Sequence, residues 1–383
     1  MNFLLTAIVA VLVFGTVVLV HEAGHFFAAR HCGIHVEEFS IGFGPALWST
    51  VRGGTRYSVR LLPLGGYNNL AGETPEESED PDEQERAEPA KKQDAAAASV
   101  HTYDPHAPLF PLTVDGKSFV EASPWQRFFV IAAGALMNFV LGFVVLIILV
   151  AAQDDAITSK TVYAVQDGAL CGQTGLQAGD EILAVNGRHC FVANDILYEL
   201  VRTEAYRADF TVKRDGQKVK LPDVQFDTWQ DEDGETHMTL GFSVYGIKKT
   251  PLSVLKEAWN STLYYGRIVF TSLADLLRGR ESINNLSGPV GIVSAIGQAA
   301  SYGWQDLLEL LALITVNLGI LNLLPFPALD GGKVVFLVIE GVTGHAVPEK
   351  LQSLLTLATF GLLFGLMLFA TYNDIIRLVT GAM

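Results

Sequence analysis

Four long apolar stretches divide the chain. They cover residues 2–20, 128–152, 306–326 and 354–372, and each is close to the roughly 20 residues that a helix needs to cross a bilayer. The first stretch contains no charged residue. It has neither a basic start nor a small-residue cleavage site, so we expect it to be retained rather than removed as a signal peptide. The pattern predicts a polytopic α-helical membrane protein with about four transmembrane helices.

Between the first two spans the pattern changes to a shorter period. The run RYSVRLLPLGGYNN at residues 56–69 alternates enough to predict a strand, a turn at Pro-Leu-Gly-Gly and a second strand. Such a membrane-associated β-hairpin would lie next to the first helix. Its open edge either pairs with an extended substrate or simply covers the neighbouring site, and the residues alone leave both readings open.

From about residue 158 to 247 the composition becomes that of a soluble domain. The segment GLQAGDEILAVNG at residues 175–187 is followed by a predicted helix near 192–203 and by short strands. This GLxxGDxIxxVNG pattern resembles a PDZ domain, an α+β fold that binds extended peptides in a groove between a strand and a helix. A single copy is visible.

Residues 251–278 predict an amphipathic helix at the membrane interface, with Trp259, Tyr264 and Tyr265 as aromatic anchors. A Gly-Pro turn is expected at residues 287–291. The resulting domains are listed in chain order: a first transmembrane helix with the hairpin (1–72), an acidic insertion (73–120), a second transmembrane helix (121–157), the PDZ domain (158–247), an interfacial helix and linker (248–300), and the third and fourth transmembrane helices (301–383).

Composition agrees with a membrane protein. The 383 residues are 50% hydrophobic and only 17% charged, with a mean hydropathy of +0.31, which is too apolar for an ordinary soluble enzyme. The net charge of −15 argues against nucleic acid as a partner. Residues 73–94 hold ten acidic and three basic residues. We expect this insertion to be disordered and assign it no chemistry.

Three cysteines are too few for a disulfide framework or a cysteine-ligated metal site. Cys171 and Cys190 share the predicted extramembrane domain. They either pair, if that domain faces an oxidising compartment, or remain free thiols.

Candidate chemistry lies at the end of the first apolar stretch, in the sequence HEAGH at residues 21–25. On a helix His21 and His25 project from one face, one turn apart, so two imidazoles can bind one zinc ion. Glu22 lies beside them and is placed to act on a water molecule at the metal without being a ligand. Ionisable residues in a membrane span are costly and indicate function.

A third ligand is suggested by the end of the third span, NLLPFPALDGG at residues 322–332. Pro325 and Pro327 cannot continue a regular helix, so the backbone must break there. A broken backbone at membrane depth is tolerated only where protein buries it or where it lines a watery cavity. Asp330 follows this break, and it makes sense as the oxygen ligand of a His-His-Asp zinc site that leaves one position for water.

The chain resembles the site-2 protease family of intramembrane metalloproteases in a set of segments that occur in the same order: HEAGH, PLGGY, the PDZ-like segment, SGPVGI (287–292) and NLLPFPALDGG. Within that family the resemblance is to the bacterial group that contains the regulator of sigma-E protease. It covers essentially the whole chain except the acidic insertion. Two departures are Lys333, where many relatives have histidine, and Ala135, where proline is common.

The resemblance implies roles for individual residues. Zinc, one ion per chain, would be held by His21, His25 and Asp330, with Glu22 as the catalytic base. The residues implied near the substrate and the metal loop are Leu64, Gly65, Gly66, Tyr67, Asn138, Asn322, Pro325 and Pro327. Asn138 belongs to a Gly-x-x-x-Asn match that begins at Gly134, and residues 56–69 match a membrane-re-entrant β-element that receives the unwound substrate.

The expected function is therefore zinc-dependent hydrolysis of peptide bonds in transmembrane segments of membrane proteins, such as anti-sigma factors or signal-peptide remnants. The resemblance also implies a multi-pass protein of a bacterial cytoplasmic membrane, zinc near the cytoplasmic side, the PDZ domain outside, and substrates already trimmed by another protease. Arg30, Arg52, Arg56, Arg60 and Arg127 in the first loop favour the same orientation. The alternative is a PDZ-bearing membrane scaffold with a structural metal site.

Overall fold

The computed structural model describes residues 3–73, 116–153, 156–203, 205–231 and 234–380, apart from the side chains of Pro63, Leu64 and Asn285. Most of the predicted acidic insertion lies outside these residues. In chain order the helices are α1 (Phe3–His31), α2 (Pro124–Ala152), α3 (Leu170–Gln173), α4 (Ala193–Val201), α5 (Pro251–Leu277), α6 (Pro289–Tyr302), α7 (Trp304–Leu323), α8 (Asp330–Thr343) and α9 (Glu349–Thr380). The strands are β1 (Val36–Arg52), β2 (Thr55–Leu70), β3 (Ile157–Val165), β4 (Glu181–Val185), β5 (Arg188–His189), β6 (Arg207–Arg214), β7 (Gln217–Gln225), β8 (Asp227–Gln230), β9 (Thr236–Thr239) and β10 (Phe242–Ile247).

Four helices of the described residues are long and apolar enough to span a membrane. They are α1 from Leu4, α2, α7 and α9. These four candidate spans agree with the prediction of a multi-pass membrane protein. The first helix runs without interruption from its apolar start through the HEAGH segment to His31, so the candidate ligands of the first motif belong to a membrane span.

The described residues form two compact units. One consists of Asn2–Asn138 and Leu321–Met367, and the other of Phe139–Ile320 and Leu368–Met383. The three predicted metal ligands, His21, His25 and Asp330, lie in the first unit, whose core packs apolar side chains of α1, the hairpin, α2 and α8.

Strand β2 is continuous from Thr55 to Leu70, but it reverses direction at the predicted Pro-Leu-Gly-Gly turn, because residues 56–59 run parallel to 38–41 whereas residues 66–70 run antiparallel to 36–41. A second turn, which the sequence pattern did not predict, lies at Gly53 and Gly54 between β1 and β2. Both glycines have positive φ (59° and 81°), a conformation that glycine adopts without steric cost. The two halves of β2 do not pair with each other, since residues 36–41 of β1 lie between them. The prediction that a β-hairpin follows the first helix agrees with β1 and β2.

The hairpin folds back on itself so that its halves form a wider sheet. Residues 46–52 of β1 pair with 55–60 of β2, and residues 36–41 of β1 pair with 66–70 on one side. On their other side residues 38–41 run parallel to residues 56–59, with Glu38 opposite Arg56 and Ile41 opposite Val59. The segment 66–70 therefore forms one edge of this sheet.

The second unit contains the inserted β domain. Its main sheet has the order β10-β3-β4-β6-β7, with β5 paired to β4. A closed apolar core fills this domain, and Cys171 and Cys190 are buried in it as free thiols. The identity of the domain as PDZ, and the boundaries assigned to each domain, stay predictions.

Beyond the β domain, the predicted amphipathic helix agrees with α5, Pro251–Leu277. The predicted Gly-Pro turn is instead the beginning of helix α6, because Pro289 occupies its first position. Proline is favoured there since its missing N–H has no partner in a first turn anyway. Residues 289–300, taken as part of a linker, are therefore helical.

Candidate metal centre

The first unit brings the three predicted metal ligands together. Helix α1 places His21 and His25 one turn apart, with their Nε2 atoms 3.3 Å from each other. Asp330 is the first residue of α8, and its Oδ2 lies 3.2 Å from His21 Nε2 and 3.3 Å from His25 Nε2. Two helices that are far apart in the chain thus direct three donor atoms to one point.

The spacing of these atoms fits a tetrahedral zinc site. Ligand bonds of about 2.0–2.1 Å at tetrahedral angles separate neighbouring donor atoms by about 3.3 Å, which is the separation found for all three pairs. Asp330 Oδ2 is buried and accepts no hydrogen bond from the described residues. A buried carboxylate oxygen in this position needs a cation. The donor set and its geometry therefore fit zinc.

The histidine rings are oriented by partners on their other nitrogens. His25 Nδ1 is 2.8 Å from the carbonyl oxygen of Val130, so it donates there and leaves Nε2 free to bind a metal. The amide of Asn138 lies 3.3 Å from His21 Nδ1, and the Asn322 amide lies 3.5 Å from the same ring. Metal-binding histidines usually have such partners, which fix the tautomer and the ring plane.

Close approach of α1 and α2 depends on small residues. A Cβ added at Gly134 would collide with both imidazoles, at 2.6 Å from His25 Cε1 and 2.8 Å from His21 Cε1. A Cβ added at Gly24 would collide with the backbone of Ala133. Glycine at these two positions lets the second span pack directly against the histidine-bearing face of the first.

Glu22 extends from α1 towards the edge segment of β2. Its Oε2 accepts a hydrogen bond of 2.7 Å from Asn68 Nδ2. Gly66 lies against the same side chain, since a Cβ at Gly66 would come within 3.0 Å of Glu22 Cγ. Glu22 thus follows the ligand His21 in sequence, and its carboxylate is held by the hairpin. The three ligand atoms come from other residues.

The loop before Asp330 breaks the helix as expected. Helix α7 ends at Leu323, and α8 begins at Asp330 after Pro325 and Pro327. The turn is tight, because a Cβ at Gly331 would collide with the carbonyl of Leu324 and one at Gly332 with the carbonyl of Phe326. The loop therefore places Asp330 beside the two histidines as the first residue of α8.

The remaining predicted substrate residues differ in their surroundings. Gly65 lies against the Phe43 ring, and Tyr67 stacks on Phe43 with ring centroids 6.3 Å apart. Gly66, by contrast, lies against the Glu22 side chain. The side chain of Leu64 lies outside the described residues.

A cavity of about 610 Å³ opens beside β2, the strand that carries Asn68. Its walls include Tyr67, Asn68 and apolar residues of α8 such as Phe336. Lys333, also in its wall, is paired with Glu73 at 2.6 Å. The cavity offers room for a peptide side chain beside Asn68, the residue that donates to Glu22.

Two contacts of the site were not identified from the sequence. Asn68, which reaches Glu22, was part of a predicted strand without an assigned role. The Val130 carbonyl, which orients His25, belongs to the backbone and leaves no mark in a side-chain pattern. Neither could be found without the three-dimensional arrangement.

Taken together, fold and site are those of a membrane metallopeptidase: a HExxH segment inside a membrane span, an aspartate completing a three-ligand group, and a glutamate beside it. A structural zinc usually has four protein ligands, whereas the group formed by His21, His25 and Asp330 has three. The arrangement favours a catalytic over a purely structural metal.

Comparison with known proteins agrees with this class. Residues 9–366 match the profile of Peptidase family M50. The chain is 32% identical to the regulator of sigma-W protease RasP of Bacillus subtilis, over 98% of this chain and 99% of that protein. It is 32% identical to the zinc metalloprotease RasP of Bacillus licheniformis, over 97% and 99%, and 31% identical to the probable protease eep of Enterococcus faecalis, over 97% and 99%.

The chain belongs to Peptidase family M50. The recognition of a site-2 protease from its sequence motifs is confirmed, and so is the enzyme class, a zinc metalloprotease, by the family and by the names of these relatives. The scaffold alternative is not favoured.

Proposed function

We propose that this protein is an intramembrane zinc metalloprotease that hydrolyses peptide bonds in transmembrane segments of membrane proteins. The observation that carries the proposal is the triangle of donor atoms, 3.2–3.3 Å on each side, of which two belong to the candidate membrane span that also carries Glu22. The family and the relatives named as zinc metalloproteases support the same function.

His21, His25 and Asp330 would hold one zinc ion. When bound, the ion supplies a Lewis acid for the scissile carbonyl and acidifies a water molecule at neutral pH. Glu22 takes the proton of the attacking water and returns it to the leaving amine. Asn138 and Asn322 keep the His21 ring in place, and Pro325 and Pro327 shape the loop that presents Asp330.

A transmembrane substrate must unwind before it can be cut, because a helix hides its carbonyls in hydrogen bonds between successive turns. We assign the reception of the unwound strand to Leu64–Tyr67 at the sheet edge. Backbone pairing with this edge would replace part of the lost helical hydrogen bonding. Gly66, the residue next to Glu22, would then hold the substrate backbone beside the base.

The β domain is assigned as a PDZ domain outside the cytoplasm, with the zinc site near the cytoplasmic side of a bacterial membrane. It would admit substrates already shortened by another protease. The arginines of the first loop support this orientation. In a Cys32→Ser background, Lys218→Cys should react with an impermeant maleimide in intact cells, and His345→Cys only after permeabilisation. The reverse result would invert the topology.

The central test compares the unsubstituted chain with Glu22→Gln and Asp330→Asn on a single-span substrate in detergent, with zinc measured in each protein. We expect Glu22→Gln to retain about one zinc ion and lose cleavage, because the residue is a base and not a ligand. Asp330→Asn should lose zinc as well. If zinc stays bound and even the unsubstituted chain leaves a substrate without an ectodomain intact, the protein is not an intramembrane protease.

A further inference from the structure

Asn68 connects the edge strand of the hairpin to the glutamate of the metal-binding helix. Its Nδ2 donates to Glu22 Oε2 at 2.7 Å and to the Glu22 backbone carbonyl at 2.8 Å. In the sheet Asn68 lies opposite Phe39 on β1. One amide group therefore ties the base to its own helix backbone and to the neighbouring strand at the same time.

The orientation of this side chain has no other explanation among the described residues. Both hydrogen bonds of its amide nitrogen that the structure shows go to Glu22, and its Oδ1 is buried without a hydrogen-bond partner. A buried unpaired oxygen costs about 1–3 kcal/mol. An apolar side chain of similar shape would avoid that cost if packing were the only requirement.

A glutamate reaches its target through three rotatable bonds, so its carboxylate must be held to act as an efficient base. Correct placement of a reacting group can change a rate by orders of magnitude. The bond to Oε2 fixes one carboxylate oxygen and thereby restricts the positions that the other oxygen, Oε1, can take. The strand that supplies Asn68 is also the one assigned above to receive the substrate, one residue after Tyr67.

We propose that Asn68 is a positioning residue for this peptidase: its amide holds the Glu22 carboxylate in the orientation that accepts the proton of the attacking water. The inference rests on the proposed function. It adds that the hairpin edge orients the base as well as the substrate, so that one strand sets the geometry of both reacting partners.

The test uses the full chain, loaded with zinc, and three variants. Asn68→Leu removes the donor with little change in shape, and Asn68→Gln keeps a donor on a longer arm. Asn69→Leu is the matched control, because the neighbouring Asn69 makes the same kind of bond, to Glu37 Oε2 at 2.7 Å, and does not contact Glu22. The measured quantities are kcat, KM and bound zinc on a single-span substrate.

We expect Asn68→Leu to lower kcat about 10- to 100-fold, the effect of losing a hydrogen bond to a charged group. Its KM and zinc content should match those of the unsubstituted chain, and Asn68→Gln should recover part of kcat. Asn69→Leu should keep kcat. The visible absorption of the Co²⁺-loaded Asn68→Leu protein should be unchanged, which would show that the metal site is intact.

A second arm repeats the change in a Glu22→Asp background. The shorter carboxylate cannot reach the Asn68 amide, so the further loss from Asn68→Leu should be much smaller there. An equal loss in both backgrounds, a loss no larger than that of Asn69→Leu, an effect on KM alone, or an altered cobalt spectrum would each overturn the inference while the proposed function stands. Absence of cleavage by the unsubstituted chain would overturn both.

Discussion

At the scale of single residues, the metal centre depends as much on an absent side chain as on the ligands. Gly134 on α2 faces the two imidazoles so closely that even a methyl group would collide with both rings. Contacts below about 3 Å between carbon atoms are strongly repulsive, and a packed core relaxes only partly. The ring planes seen in the structure are therefore compatible only with glycine at this position.

We accordingly expect Gly134→Ala to displace the imidazoles and to lower zinc affinity and cleavage by at least about tenfold, the range found when ligand orientation is disturbed. Zinc content after dialysis and cleavage rate measure this. Gly361→Ala is the control, because a Cβ at Gly361, also in a membrane helix, meets nothing within 4 Å. Equal behaviour of the two variants would contradict the argument.

At the scale of elements, the hairpin is stabilised by polar contacts between side chains of β1 and β2. Glu38 on β1 accepts hydrogen bonds from Ser58 Oγ at 2.5 Å and from Arg60 Nη2 at 2.7 Å, both on β2. Burial by itself raises the pKa of Glu38, but the bonds from Ser58 and Arg60 and the charge of Arg60 outweigh it, so the pKa of Glu38 lies below its usual value.

A lowered carboxyl pKa gives stability that is present above the pKa of the unfolded group, about 4.3, and is lost as pH falls through the folded pKa. We expect amide-exchange protection of residues 56–60, corrected for the intrinsic pH dependence of exchange, to fall between about pH 5 and pH 3. Glu38→Gln should show weaker protection with no such pH dependence. A flat profile in the unsubstituted chain would be the contrary result.

The beginning of α6 has a partner of its own on α9. Asp374 is fully buried, and its Oδ2 accepts the backbone N–H of Gly291 at 2.7 Å. A carboxylate at a helix N-terminus satisfies a free backbone N–H and complements the helix dipole. A Cβ at Gly291 would meet this carboxylate at 2.9 Å, and one at Gly288 would meet the backbone of Thr371 at 2.7 Å. These contacts account for the glycines of the SGPVGI segment.

Replacing Asp374 by leucine should leave the buried Gly291 N–H unpaired and lower the free energy of unfolding by about 1–3 kcal/mol. The unfolding temperature in detergent measures the effect. Tyr372→Leu, at an exposed position of the same helix, should change it little. If both substitutions shift the transition alike, the Gly291 bond is not what stabilises this junction.

At the scale of the whole molecule, the β domain is inserted with its two ends side by side. Ile157 at the start of β3 lies directly opposite Ile247 at the end of β10, and paired strand residues are only about 5 Å apart. The predicted metal ligands, the base and Asn68 all belong to the other compact unit. The domain can thus be removed without stretching the chain.

We expect a chain in which residues 157–247 are replaced by a short Gly-Ser linker to keep its zinc and to cleave a bare single-span substrate. If the domain acts as a size filter, a substrate with a folded ectodomain, resistant before, should now be cut. Zinc analysis and cleavage of the two substrates decide this. Loss of zinc would instead make the domain part of the metal centre's support.

The features that are encoded locally could be predicted from the amino-acid pattern. The apolar stretches predicted four spans, the HEAGH spacing predicted two imidazoles on one helix face, and the proline pair predicted the break before Asp330. Each follows from helix geometry or from the cost of polar groups in lipid, and needs no knowledge of distant residues. The order of the motifs also identified the family.

The tertiary structure alone decided which distant groups meet. The Asp330 carboxylate lies within 3.3 Å of both imidazoles although about 300 residues separate them, Gly134 leaves room for those rings, and Asn68 reaches Glu22 from another strand. The turn at Gly53–Gly54 and the position of residues 36–41 between the two halves of β2 were also missed, because alternation gives a strand its two faces but does not determine which strand pairs beside it. Local pattern gives each element its faces, but which faces meet depends on packing and hydrogen bonding across the whole chain.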